Sequence, residues 1–235
     1  MAIKPILFNT EMVRAILDGR KTCTRRICKD ANEYTVPDME FYNADRRTYA
    51  VHNFADKEQM EQLSTAERTC PICPGDILYV RETWERFECW NCEGDERGNC
   101  PKEPKKSVLN KTCGCYMYRA TDEISGDAKW HPSIRMPKEA ARIWLKVTDV
   151  QVERLQEITE DGAKAEGINE EWAMSWWSPT YYDPDSGGYP KYRDTFAFEV
   201  WNKTIKKSDI DRFGWDANPW VWVIEFERCE KPKGV

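Results

Sequence analysis

No stretch of this chain stays apolar for the roughly 20 residues that a membrane-spanning helix needs. Its longest apolar runs have the length of short strands. The opening residues, MAIKPILFNTEM, hold no continuous hydrophobic segment and no small-residue cleavage site, so no secretory leader is expected there. The expectation is a cytoplasmic protein without membrane contact. A basic excess is also missing. A formal net charge of −6 argues against a broad electrostatic footprint for nucleic acid, while leaving room for a local basic pocket. There is no glycine-rich phosphate loop, no internal repeat, no low-complexity tract and no regular alternation of strands and helices. What is left is an α+β fold with a mixed or antiparallel sheet, open to closure as a small barrel.

What is present is a soluble composition, 40% apolar and 32% charged over 235 residues. That length can bury a sizeable core as one domain. Eleven Trp and ten Tyr supply core residues and could also supply stacking surfaces for a base. Ten cysteines in a chain without an export signal point to metal binding or free thiols before disulfides.

The most distinctive stretch is Gly19-Arg20-Lys21-Thr22-Cys23-Thr24-Arg25-Arg26. It follows a short helix that Asn9 or Thr10 can cap and whose apolar face is Met12, Val13, Ile16 and Leu17. Gly19 suits the left-handed position just past the helix end. Read blandly, the cations are a solvated helix terminus favoured by the dipole. Read functionally, they form a basic turn beside an element boundary, where ligands are met.

Further along, residues 27–72 are polar and irregular and read as an insertion, with a little helix near Lys57–Arg68. A turn at Pro74-Gly75-Asp76 precedes a strand over 77–84. Arg81 and Glu82 lie on opposite faces of it, one toward a buried polar site or a cleft. Residues 85–115 form a second insertion, too polar to order by burial alone. Its cysteines are Cys89, Cys92, Cys100, Cys113 and Cys115. Four of these five as thiolates around a structural zinc would fix the segment, with free thiols or disulfides as the alternatives. Cys70 and Cys73 share the ligand spacing without a second pair nearby. A strand over 116–120 is expected beside the 77–84 strand.

Trp130 to Pro137 is an extended, proline-bracketed segment in which His131 is read as structural. A strand over 141–150 and a helix over 158–167 follow, the helix capped by Thr159 and stopped by Gly167. Glu166 stands out because a carboxylate in a last turn opposes the dipole. Residues 170–192 read as an aromatic loop, a helix starts at Asp194, and Trp220 to Phe226 reads as a buried central strand.

These stretches together resemble the ASCH-domain family of the PUA-like superfamily, near members encoded by phages and prophages. The resemblance is carried by GRKTCTRR at 19–26, PGDILYVRETW at 74–84, WHPSIRMP at 130–137, RIWLKVTDVQVERLQEITEDGAKAEGI at 142–168 and NPWVWVIEFER at 218–228. It implies a single PUA-like domain over 1–235, a small mixed or antiparallel β-barrel with helices packed around it, interrupted by the insertions at 27–72 and 85–115. It also implies a cleft to which the basic turn contributes. By similarity to the small acetylcytidine amidohydrolases of that family, Lys21, Thr24 and Glu166 would form the catalytic set. Amide hydrolysis needs a nucleophile, a base to activate it and an acid for the leaving amine, roles those three side chains can fill. Arg20, Arg25, Arg26, Arg81 and Glu82 would bind substrate or nucleic acid. The favoured reading at this level is a cleft that binds RNA, a nucleotide or a modified nucleoside without chemistry. The alternatives are an acylcytidine-type hydrolase or ribonuclease, and a partner-docking role for the cysteine-rich insertion.

Overall fold

The structure, a computed structural model, describes residues 1–29, 31, 35–54, 62–88, 114–123, 129–176 and 192–234. The chain opens with strand β1 (Ile3–Leu7), helix α1 (Thr10–Leu17) and strand β2 (Cys23–Ile27). Strands β3 (Thr35–Asn43), β4 (Thr48–Phe54) and β5 (Gln62–Thr69) come next, then β6 (Ile77–Arg81), β7 (Trp84–Glu88) and β8 (Gly114–Tyr118). The long strand β9 (Trp144–Arg154) leads to helices α2 (Glu160–Ala165), α3 (Glu170–Trp176) and α4 (Tyr192–Thr195). The last strand is β10 (Trp220–Cys229). Among the described residues no helix is long and apolar enough to cross a membrane.

The main sheet has the order β1-β6-β9-β10-β2. β1 runs parallel to β6, and every other pair is antiparallel. β10 is central, as its nearly continuous apolar run implies. The expected α+β class with a mixed sheet is present. A closed barrel is not formed among the described residues, because β1 and β2 remain edges. They approach each other through a side chain, Arg26 Nη2 donating to the Leu7 carbonyl at 2.9 Å, and not through a backbone ladder.

The two faces of this sheet carry different layers. One packs α1 and the β3–β5 sheet over Trp222, Ile224 and Phe226. The other packs α2, α3 and the segment after α4 over Val221. The β3-β4-β5 sheet corrects the expectation of an irregular 27–72 insertion. Of the helix expected near 57–68, residues 62–68 are strand, while 55–61 lie outside the described residues. The reason is tertiary. Tyr49 and Val51 of β4 are buried, and the Tyr49 ring meets Trp222 edge-on at 4.8 Å, a pair worth about 0.5–1.5 kcal/mol beyond its area. A mostly polar strand holds when one face is covered in this way.

Three further expectations change. The 77–84 strand breaks after Arg81, and it is β7 that pairs with β8. Glu82 sits at the break, fully buried, its N–H directed at the Met136 sulfur. Residues 170–176 are helical and not loop, started by Asn169, whose Oδ1 accepts from the Trp172 N–H at 2.9 Å. Trp172 and Ala173 then pack inward. Residues 177–191, the rest of the aromatic stretch, lie outside the described residues. The helix expected from Asp194 starts at Tyr192 and widens to a π-helical turn over Phe196–Trp201.

Candidate active site

α1 ends as its sequence requires. Asn9 accepts from the Met12 N–H, and Gly19 turns the chain at a φ of 76°. The Arg20 and Lys21 N–H groups then bond back to the Ala15 carbonyl, which drives the chain into β2 and does not release it to solvent. The bland reading of the basic stretch fails here: Lys21, Thr24 and Arg25 are 3%, 2% and 6% exposed.

β2 is an edge strand whose outward N–H groups would be orphaned. The end of α2 satisfies that of Arg25, and that of Thr22 just before the strand. Ala165 O accepts from the Thr22 N–H at 2.9 Å, and Glu166 Oε1 accepts from the Arg25 N–H at 2.7 Å. Glu166 is the C-cap of α2, held there because Gly167 takes a φ of 103°. A Cβ on Gly167 would lie 2.6 Å from the Ala15 Cβ and 3.1 Å from the Lys21 Cβ. Any other residue at 167 would push α2 away from Lys21.

The consequence is a buried charge cluster. Lys21 Nζ donates to Glu166 Oε2 at 2.5 Å and to the Glu166 carbonyl at 2.9 Å. The Arg25 guanidinium stands 3.4 Å from Glu166 Oε1 and donates to Glu153 Oε1 at 2.7 Å. The unfavourable dipole position of Glu166 is offset by these cations and the strand N–H. Burial lowers the pKa of Lys21, with the pull of Glu166 opposing it and Arg26 adding a minor push in the same direction. Desolvation, more than like-charge neighbours, thus brings the amine toward its neutral form. Burial pushes the Cys23 thiol up to about 12, which leaves it protonated and unreactive at neutral pH.

Beside this cluster lies a cavity of about 110 Å³. Lys21, Thr24, Arg25, Arg26 and Glu166 line one side together with Phe8 and Asn9. Phe196, Val200 and Trp201 of the π-helical turn and Thr204 line the other. π-Helical turns recur at functional sites, and this one turns two aromatic rings toward the charged wall. The Phe8 ring lies 5.4 Å from Lys21 Nζ and 5.3 Å from the Arg26 guanidinium carbon. The Thr24 hydroxyl has no hydrogen-bond partner among the described residues, so it is available to whatever fills the space.

The structure therefore brings Lys21, Thr24 and Glu166 together. Among the five expected binding residues it treats each differently. Arg25 and Arg26 line the cavity; Arg25 is engaged with Glu153 and Glu166, and Arg26 gives Nη2 to the Leu7 carbonyl. Arg20 lies outside the lining and bonds to the Gly167 carbonyl and to Asp18. Arg81 donates to the Ile134 carbonyl at 3.2 Å, and Glu82 is clamped by Arg142 through both oxygens at 2.9 Å. Neither lines the cavity.

Cys89, Cys92, Cys100 and Cys113 lie outside the described residues. Cys115 lies in β8 with its side chain likewise outside them. Among the described residues no group of three or more His, Cys, Asp or Glu is placed to hold a metal ion. Cys70 and Cys73 are buried, reduced thiols that donate to the Ile72 and Cys70 carbonyls. His131 pairs its backbone with Trp84 and stands 3.7 Å from Glu85.

Glu153 and Phe8 are site residues that the sequence reading missed. Glu153 lies on β9, two strands away from β2, and reaches Arg25 only across β10. In a strand that alternates apolar with polar residues, no local signal singled it out. Comparison of the chain with known protein families, curated proteins and solved structures found no match.

Proposed function

We propose that the cavity binds one planar acylated base, of the N-acylcytidine type, and hydrolyses its exocyclic amide. This reading goes with the ASCH-like, PUA-related assignment of the sequence. One observation carries it: a buried Lys–Glu pair and an unpartnered threonine hydroxyl face the same small aromatic-walled cavity. The volume of about 110 Å³ is well below the ~300–1,000 Å³ of pockets for drug-sized ligands. It suits a single base and not a folded strand. Phe8, Phe196 and Trp201, all buried, give the cavity apolar walls.

In the proposed step Thr24 orients a water against the acyl carbon. The water O–C bond forms and the amide C–N bond breaks. Lys21 in its neutral form takes the water proton, and the Lys21–Glu166 pair delivers it to the departing amine. The products are the free exocyclic amine and the carboxylic acid, so atoms and charge balance. Arg25, committed to Glu153 and Glu166, serves as frame.

The test is incubation with N4-acetylcytidine, followed by chromatography for released cytidine. Turnover is expected, and Thr24→Ala should lower it by ~10²-fold, the order of loss when a reacting group is misplaced. Absence of turnover by folded wild-type protein overturns the hydrolytic reading. If short RNA then binds and Arg26→Ala weakens it, the non-catalytic binding reading takes its place; the Arg26 guanidinium over the Phe8 ring favours that second reading.

A further inference from the structure

We propose that Glu153 is a positioning residue that acts through Arg25 to hold Glu166, and with it the charge state of Lys21. The kinetic part of this inference rests on the hydrolytic reading; the charge-state part does not.

Four ionisable groups form an unbranched chain across the sheet, Glu153–Arg25–Glu166–Lys21. Its contacts are 2.7 Å from Arg25 Nε to Glu153, 3.4 Å from Arg25 Nη1 to Glu166 and 2.5 Å from Glu166 to Lys21. Arg25 pairs with Val223 of β10, and Val221 of the same strand pairs with Glu153 of β9. The guanidinium therefore lies over the central strand to reach its second carboxylate. Three features fix it there. A Cβ at Gly162 would come to 3.1 Å from Arg25 Nη2, a tight contact, so glycine there leaves the guanidinium its room. The Phe196 ring lies 5.9 Å beneath the guanidinium carbon. The Cys23 sulfur sits 3.8 Å from Nη1.

Two cations and two carboxylates balance as long as Glu153 is charged. Glu166 then divides its oxygens, Oε1 to Arg25 and Oε2 to Lys21. Without the Glu153 charge, Arg25 has one anion left, and in this poorly solvated site it competes with Lys21 for Glu166. The ammonium form of Lys21 loses support. The groups facing Lys21 are Glu166 at the end of α2, Cys23 and Arg26 of β2, and the Phe8 ring. Those facing Arg25 are Glu153, Glu166, Cys23 and Phe196. Glu153, with its side chain 24% exposed, is the member of the chain nearest solvent.

The experiment is an NMR titration of lysine Nζ and Cε signals on the full chain, with Lys21 assigned by the signal missing in Lys21→Met. Glu153→Gln keeps volume and an acceptor oxygen but removes the charge. It should lower the Lys21 midpoint by about one pH unit, a tenfold change in its protonation equilibrium. Glu153→Asp, which keeps the charge on a shorter arm, should bring the midpoint back toward wild type. With N4-acetylcytidine the kcat–pH profile should move with the midpoint while KM holds, which a merely structural residue would not produce. A Lys21 midpoint unmoved in folded Glu153→Gln overturns the proposal, whether or not the substrate turns over. A moved midpoint without turnover in any variant upholds the chain of charges and overturns the hydrolytic reading alone.

Discussion

Two buried glutamates, Glu82 and Glu166, look alike in the sequence and differ in every physical respect that matters for chemistry. Both are almost inaccessible, at 1% and 2% exposure. Glu82 gives both oxygens to one guanidinium, that of Arg142, which lies 4.0 Å over the Tyr118 ring and also donates to Thr121. The clamp is closed, and no lining of the cavity includes it. Glu166 divides its oxygens between Lys21 and Arg25, and open space with an unpartnered hydroxyl stands beside it. Burial raises the pKa of Glu82, only partly countered by Arg142. A perturbed carboxylate is thus no guide to a site by itself; the adjoining cavity and the divided coordination are.

The comparison can be broken by stranding the closed pair. Arg142→Met leaves Glu82 buried and uncompensated, and urea unfolding should show a loss of about 3–5 kcal/mol. The double variant Glu82→Leu with Arg142→Met should recover most of it, since two apolar groups replace two charges. Recovery would mark the Glu82 pair as architecture; failure to recover would give it a further role.

A third buried carboxylate sharpens the contrast. Asp76 is 0% exposed, and burial, the largest influence, would raise its pKa. Arg47, the Ala2 and Cys73 N–H groups and Lys4 outweigh that and hold it at about 2. A depressed carboxylate stabilises the fold above its unfolded value near 3.8 and loses that contribution as pH falls toward about 2. Asp76→Asn should therefore cost about 2 kcal/mol at neutral pH, and the gap to wild type should close between those two pH values in urea titrations. A gap independent of pH would assign the effect to packing.

The smallest expected effect is at the mouth of the site. Asn9→Ala removes the cap of α1 and should lower stability by about 1 kcal/mol in thermal or urea unfolding. A larger loss would mean that Asn9, which also lines the cavity, supports Lys21 as well as the helix.

Much of the site was legible because it is made of local rules. The Asn9 cap, the Gly19 turn, the Thr159 cap and the Gly167 stop each follow from residue type and position, and all four are observed. Glu166 was marked by being wrong for a helix end. Burial is the first cause of the depressed Lys21, and its cationic neighbour Arg26 adds only a minor push. Burial of a lysine cannot be read from a stretch that looks like a solvated turn. The β3–β5 sheet was missed for a similar reason, since a polar strand is stabilised by what covers it and Tyr49 meets Trp222 across 173 positions of sequence.

By itself, then, the sequence determined an α+β chain with a central β10, a capped helix feeding a basic stretch, and a lysine, a threonine and a glutamate marked out by position. Periodicity, caps and turn glycines act within a few residues, so they survive in one dimension. Tertiary structure decided which cations are buried and which carboxylates they meet. It set Glu166 on the open edge of β2, drew Arg25 over β10 to Glu153 and left Thr24 facing empty space. Desolvation and long-range pairing depend on what lies opposite in space, and no local pattern encodes that.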